Sequence, residues 1–128
     1  MRLLLDSHVL VGLLGGDIGS LPTVERALQS TANEMSVSAA SFWELAIKFR
    51  IGKLRLARPP EKLAGHFVSL GYALLPVDHR HAVEQLQHQP PTRDPFDRML
   101  LAQCQVEGMR LLTADRALAA HPLAWREP

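Results

Sequence analysis

Apolar residues fall along the chain in four short continuous runs, parted by longer stretches with helical spacing. Leu3, Leu4 and Leu5 form the first run and stop at Asp6, a pattern that fits a strand buried on both faces better than an alternating edge strand. Similar runs stand at Met35 to Val37, Ala73 to Val77 and Arg110 to Thr113. Each is separated from the last by enough chain for one or two helices, which predicts βαβ units.

The stretches between carry helix punctuation. Ser20 is placed to cap a helix from Leu21 to Thr31 with Pro22 in its first turn, and Ser38 another from Ala39 to Ile51 that Gly52 closes. Pro59 and Pro60 open a third, running through Leu63, Phe67 and Leu70 to Gly71, and Asp78 caps a fourth holding Ala82, Val83 and Leu86. Asp94 followed by Pro95 is an N-cap with proline at the first helical position, and Met99, Leu100, Ala102, Cys104 and Val106 carry that helix to Gly108. Strands alternating with helices predict an α/β fold, a three-layer α/β/α sandwich with a short parallel sheet. Residues 1–128 read as one domain, with Gln89 to Arg93 as an internal loop.

Composition narrows the picture. A chain of 128 residues with 47% hydrophobic and 21% charged residues is far from the composition of a disordered one. Net charge is +1, so any preference for an anionic partner must be local. Cys104 is the single cysteine, which excludes an internally stapled scaffold and a thiolate zinc cluster. It reads as a buried hydrophobe, Trp43 and Trp125 read as core, and the six scattered histidines mostly as surface or helix-packing residues. Asp6, Ser7 and His8 interrupt the only leader-like stretch, and no run of 18 apolar residues occurs. A cytoplasmic protein without membrane contact is the expectation.

Acidic residues are the candidate chemistry. Ligands of an open parallel sheet gather outside the carboxyl ends of its strands, where Asp6 ends the first strand and Asp115 follows the fourth. Asp94 and Asp97 begin the preceding helix, and Glu44 interrupts a helix otherwise apolar nearly all round. Structural readings compete: Asp94 as N-cap, Asp97 as an acid at the positive end of its helix, Glu44 as a surface pair with Lys48 four residues on. Clustered carboxylates repel by about 1 kcal/mol in water at 4 Å and by about 4 kcal/mol at a surface-like dielectric. A hard divalent cation relieves that cost. Lys48, Arg50, Lys53, Arg55 and Arg58 form a basic strip with no acid between them, either a solvated helix end or a contact for RNA phosphates.

Four segments now take on a joint meaning. Leu4-Leu5-Asp6-Ser7-His8-Val9-Leu10, Ser38-Ala39-Ala40-Ser41-Phe42-Trp43-Glu44-Leu45-Ala46-Ile47-Lys48, Arg93-Asp94-Pro95-Phe96-Asp97-Arg98 and Leu111-Leu112-Thr113-Ala114-Asp115 resemble, in order and spacing, PIN-domain ribonucleases of the VapC toxin type. The resemblance implies an endoribonuclease dependent on Mg²⁺ or Mn²⁺, the toxin of a toxin-antitoxin pair. Position by position, Asp6, Glu44, Asp97 and Asp115 match its acidic quartet, Asp94 an additional acid, and Thr113 an accompanying hydroxyl. Ser7 stands where threonine is commoner, and Thr92 where a histidine often precedes Arg93. The resemblance also implies an RNA substrate, an antitoxin partner and a homodimer. A groove between the Ala39 to Ile51 helix and the Leu63 to Leu70 ridge would suit an amphipathic antitoxin segment, a basic side chain of which competes with the metal for the acids. The alternative is a non-catalytic module of the same fold that docks a basic partner on its acids.

Overall fold

The structure, a computed structural model, describes residues 1–16, 19 and 21–128. Four parallel strands, β1 (Arg2–Leu5), β2 (Glu34–Ser38), β3 (Ala73–Leu75) and β4 (Arg110–Leu112), form one sheet in the order β3-β2-β1-β4. Leu4 lies opposite Ser36 of β2 on one side and Leu111 of β4 on the other. β1 is therefore central in the sheet, and its leucines run unbroken because both of its faces are covered, Leu3 and Leu5 on one and Leu4 on the other.

Seven helices connect the strands among the described residues: α1 (Ser7–Gly15), α2 (Pro22–Gln29), α3 (Ala39–Arg50), α4 (Leu63–Ser69), α5 (His79–Val83), α6 (Pro95–Glu107) and α7 (Arg116–Ala119). Leu3 and Leu5 face one layer, packing with Val9, Leu10, Val24, Ala27, Leu63 and Phe67. Leu4 faces the other, with Leu100, Leu101, Cys104 and Leu118. The expected three-layer sandwich is the observed one. α3 gives Leu45 to the first core and Ala40 to the second, so it bridges the layers where β2 ends.

The helix ends follow local rules with instructive exceptions. Ser38 and Asp94 cap α3 and α6, and Gly108 stops α6 in the left-handed conformation at φ 68° that a side chain would strain. Ser20 lies outside the described residues, and α2 starts at Pro22 after Leu21, which makes no side-chain cap. The third helix is broken: Pro60–Lys62 is a single 3-10 turn before α4 begins. The fourth stops at Val83, since Glu84 is extended, and Leu86 reaches the core from the following loop.

Trp43, expected in the core, is not there, and Phe49 on the same helix is also open to solvent. Trp43 is 64% exposed and Phe49 37% exposed, because α3 packs through Ala40, Ser41, Glu44 and Leu45 instead. Trp125 does pack against the first core. Phe42 and Phe67 meet at 6.2 Å, which fills the space between α3 and α4 where a partner groove was expected. Cys104 is buried, and that burial pushes its thiol up to about 12, an inert side chain.

Candidate active site

The strand order 3-2-1-4 puts the topological switch point between β1 and β4, and both strands end in the residues of interest. The Asp6 amide donates to the Leu112 carbonyl at 3.0 Å, tying the two ends together. Asp6 is buried. Its Oδ1 accepts from the Val9 amide at 2.9 Å as the cap of α1, and its Oδ2 accepts the Thr113 hydroxyl. Burial raises the Asp6 pKa above the ordinary carboxylate range, with the Thr113 hydrogen bond and the nearby charge of exposed His8 opposing.

Asp115 is fixed by the same turn. Its amide donates to Thr113 Oγ1 at 3.0 Å, and its Oδ1 caps α7 through the Ala117 amide at 2.9 Å. Asp94 caps α6 by accepting from the Phe96 amide at 2.8 Å. Asp94 is the N-cap the sequence predicts, and Asp115 is a second one; in each, one oxygen anchors a helix and the other makes no hydrogen bond among the described residues. Asp94→Ala is expected to cost about 1 kcal/mol in urea unfolding, and Asp94→Ser to recover most of it. Equal losses would mean that the carboxylate stabilises α6 by something other than capping.

Glu44 is only 5% exposed, so its pairing with Lys48 is not the surface contact the spacing alone suggests. Lys48 Nζ donates to Oε2 at 2.7 Å, and the Ser7 hydroxyl donates to Oε1. Both oxygens are engaged. Asp97 is the opposite case, with no side-chain hydrogen bond among the described residues. Burial pushes its pKa up from 3.8 to about 6, helped by the charges of Asp94, Glu44, Asp6 and Asp115. The charges of four other acids thus converge on Asp97, although no three of these five carboxylates bring their oxygens within 4.8 Å of one another.

Among the described residues, three ligand atoms come within 4.8 Å of one another at Asp78, His81 and Glu107. That group is a brace. His81 Nε2 donates to Glu107 Oε2 at 2.8 Å, and the Arg80 guanidinium reaches Asp78 and Glu107 at 2.9 Å each. The Arg80 hydrogen bond holds the Asp78 carboxyl well below its ordinary value, and both carboxylates already have a cationic partner in Arg80.

A family model for the PIN domain matches residues 3–122. The chain belongs to the PIN-domain family. Ribonuclease VapC22 of Mycobacterium tuberculosis is 32% identical over 122 residues, covering 92% of this chain and 90% of that relative. Ribonuclease VapC16 of the same organism is 36% identical over 69 residues, covering 51% of this chain and 47% of that relative. The family accounts for the parallel sheet. Of the basic strip, Lys48 is taken by Glu44 and Arg50 reaches Glu61 at 3.3 Å. Lys53, Arg55 and Arg58 are exposed and form no salt bridge among the described residues. Two neighbours of the acids escaped the sequence reading, His8 and Trp43. Their signal was adjacency, two residues after Asp6 and one before Glu44.

Proposed function

We propose that this PIN-domain chain, read as one nuclease domain, is an endoribonuclease that hydrolyses RNA phosphodiesters with Mg²⁺ or Mn²⁺, and the toxin of a toxin-antitoxin pair. The observation that carries the reading is the convergence of the Asp94, Glu44, Asp6 and Asp115 charges on Asp97, whose pKa is raised to about 6 by burial first and by these charges second. Both relatives are named as ribonucleases. An all-carboxylate donor set is the kind that hard divalent cations take.

Asp97, with both oxygens uncommitted, and the second oxygen of Asp115 would hold the ion, with Asp94 adding a carboxylate beside them and Asp6 reaching it through the oxygen that also accepts the Thr113 hydroxyl. Such an ion supplies Lewis acidity, lowering the pKa of an attacking water and offsetting charge on the phosphate. Glu44 acts indirectly: with Lys48 donating to one oxygen and the Ser7 hydroxyl to the other, it ties α3 to the start of α1 next to Asp6. Thr113 holds the Asp6 carboxylate and the Asp115 amide, coupling the ends of β1 and β4. Purified protein is expected to cleave RNA with Mg²⁺ or Mn²⁺ and to stop on chelation. Unchanged cleavage after chelation, in a preparation free of contaminating nuclease, would remove the metal from the mechanism.

The free cations have two uses in this reading. Lys53, Arg55 and Arg58 would contact RNA phosphates, and Lys48 would lie at the strip's inner end. Replacing Lys53 and Arg55 by glutamine is expected to weaken RNA binding and to flatten its salt dependence by up to about 0.7 per lost contact. An unchanged slope of log affinity against log salt would free the strip of that role. Arg55 and Arg58 also rim a groove of about 470 Å³ between α1 and the loop after α3, with Val11, Leu13, Leu14 and Leu56 on its walls. We assign this groove to the antitoxin, as an amphipathic segment whose acidic side chains meet the two arginines. α1 begins beside Asp6, so a segment following it leads to the acids. A homodimer completes the proposal; Val68, Leu70 and Leu74 leave an apolar surface on α4 and the edge strand β3 that a second copy would cover.

A further inference from the structure

A cleft of opposite character lies beside the acids. Trp43, Val77, Pro95, Phe96 and Met99 enclose about 390 Å³ over Ala40, and no charged side chain lines it. Phe96 meets the Trp43 ring at 5.5 Å and 72°, fixing the plane of an indole that remains 64% exposed. Trp43 is bonded to Glu44, and Phe96 lies between Asp94 and Asp97. The aromatic pair is thus built into the helices that carry three of the five acids.

That placement sets the ligand chemistry. Five carboxylates repel an RNA strand, and a bound cation draws in the phosphate beside it while the neighbouring phosphates stay disfavoured. Affinity next to the site must come from a neutral part of the nucleotide. A nucleobase has a flat π-face that stacks on an aromatic side chain whatever its sequence. A second copy of the chain is a poorer occupant, because the exposed apolar surface of Val68, Leu70 and Leu74 on α4 and β3 is the one assigned to that contact.

We propose that Trp43, backed by Phe96, stacks the nucleobase flanking the phosphate held at the acids, making this cleft a base subsite of the enzyme. The proposal rests on the ribonuclease reading above. Its test is binding of two octamers of equal charge, oligoadenylate and an abasic ribose-phosphate strand, to the Asp97→Asn protein, followed by tryptophan emission and by anisotropy of labelled strands. Oligoadenylate is expected to quench the emission and the abasic strand to leave it unchanged. Adding Trp43→Ala is expected to remove the quenching and weaken oligoadenylate about 5- to 150-fold. It should leave the abasic strand's affinity unaltered, and Trp43→Phe should restore most of the loss. Because Trp43 is exposed, its truncation spares the core. Equal affinity for both strands, or an equal loss for both in Trp43→Ala, would overturn the subsite. So would a halving of the mass of Trp43→Ala in light scattering, which would make the cleft a contact between copies. Hydrolysis by the unsubstituted protein, measured in parallel with Mg²⁺ and Mn²⁺, separates the two readings. If it is present with base-blind binding, the subsite alone fails; if it is absent, the ribonuclease reading fails and takes the subsite with it.

Discussion

Asp97→Asn is expected to lower RNA hydrolysis at least about a thousandfold, a barrier increase of about 4 kcal/mol, while the protein stays folded. Asp97 is the acid on which the charges of the other four converge, and no hydrogen bond among the described residues commits its carboxylate elsewhere. The amide keeps the size of the carboxylate and removes only its charge and ligand strength. Asp6→Asn should lose comparable activity for a different reason. Its Oδ1 would continue to cap α1 at the Val9 amide, since asparagine caps as well as aspartate. The second oxygen, which accepts the Thr113 hydroxyl, would become an amide nitrogen facing that hydroxyl, so the link to β4 would be rearranged as well. Asp78→Asn is the control, an acid paired with Arg80 and away from the cluster, and it should keep full activity. Circular dichroism and urea midpoints would confirm that all three variants fold. Asp97→Asn activity within tenfold of the unsubstituted protein would exclude Asp97 from the chemistry.

What the sequence makes legible here is what depends on near neighbours. Asp6 ends a run of three leucines, and both its strand-end position and its capping role follow from a few residues. Asp94-Pro95 and Gly108 delimit α6 to the residue, because an N-cap with proline at N1 and a left-handed glycine stop are written locally. Asp6 and Asp115 could be placed on one edge since parallel strands put their carboxyl ends together. The exposed face of α3 is a different kind of question. Its residues are apolar nearly all round, so which of them is buried depends on Phe67 of α4 and Phe96 of α6, far along the chain. Phe42 packs against the first of these, and Trp43 lies over the second while staying open to solvent. The local pattern could not choose between them. The same holds for Glu44, where i,i+4 spacing to Lys48 predicts the pair but not its burial, which comes from Ser7 on α1. The brace at Arg80 has no sequence signature either, since Glu107 meets it only after α5 and α6 pack.

Without metal, the protein is expected to lose stability as pH rises from about 4 to about 7. Asp97 has a folded-state pKa of about 6 against 3.8 when unfolded. Between those values the folded form holds the proton and the unfolded form has released it. Stability falls with pH wherever the folded state binds more protons, and here the loss is complete above about pH 7. Two pKa units would correspond to nearly 3 kcal/mol, but the group is partly open to solvent and screening reduces this to about 1 kcal/mol. Asp6, also raised by burial, adds to the same slope. The comparison that isolates Asp97 is Asp97→Asn, whose urea midpoint should fall less over this range and exceed that of the unsubstituted protein at pH 7.5. Saturating Mg²⁺ or Mn²⁺ should reverse the sign. A cation binds the ionised carboxylates, the proton competes with it, and stabilisation by ligand grows as the competitor is removed. Metal affinity and RNA hydrolysis should therefore both fall about tenfold per unit as pH drops below 6. A metal-free stability that rises from pH 5 to 7.5 equally in both proteins would mean that the five acids do not strain the folded state, and the argument for a cation among them would lose its electrostatic basis.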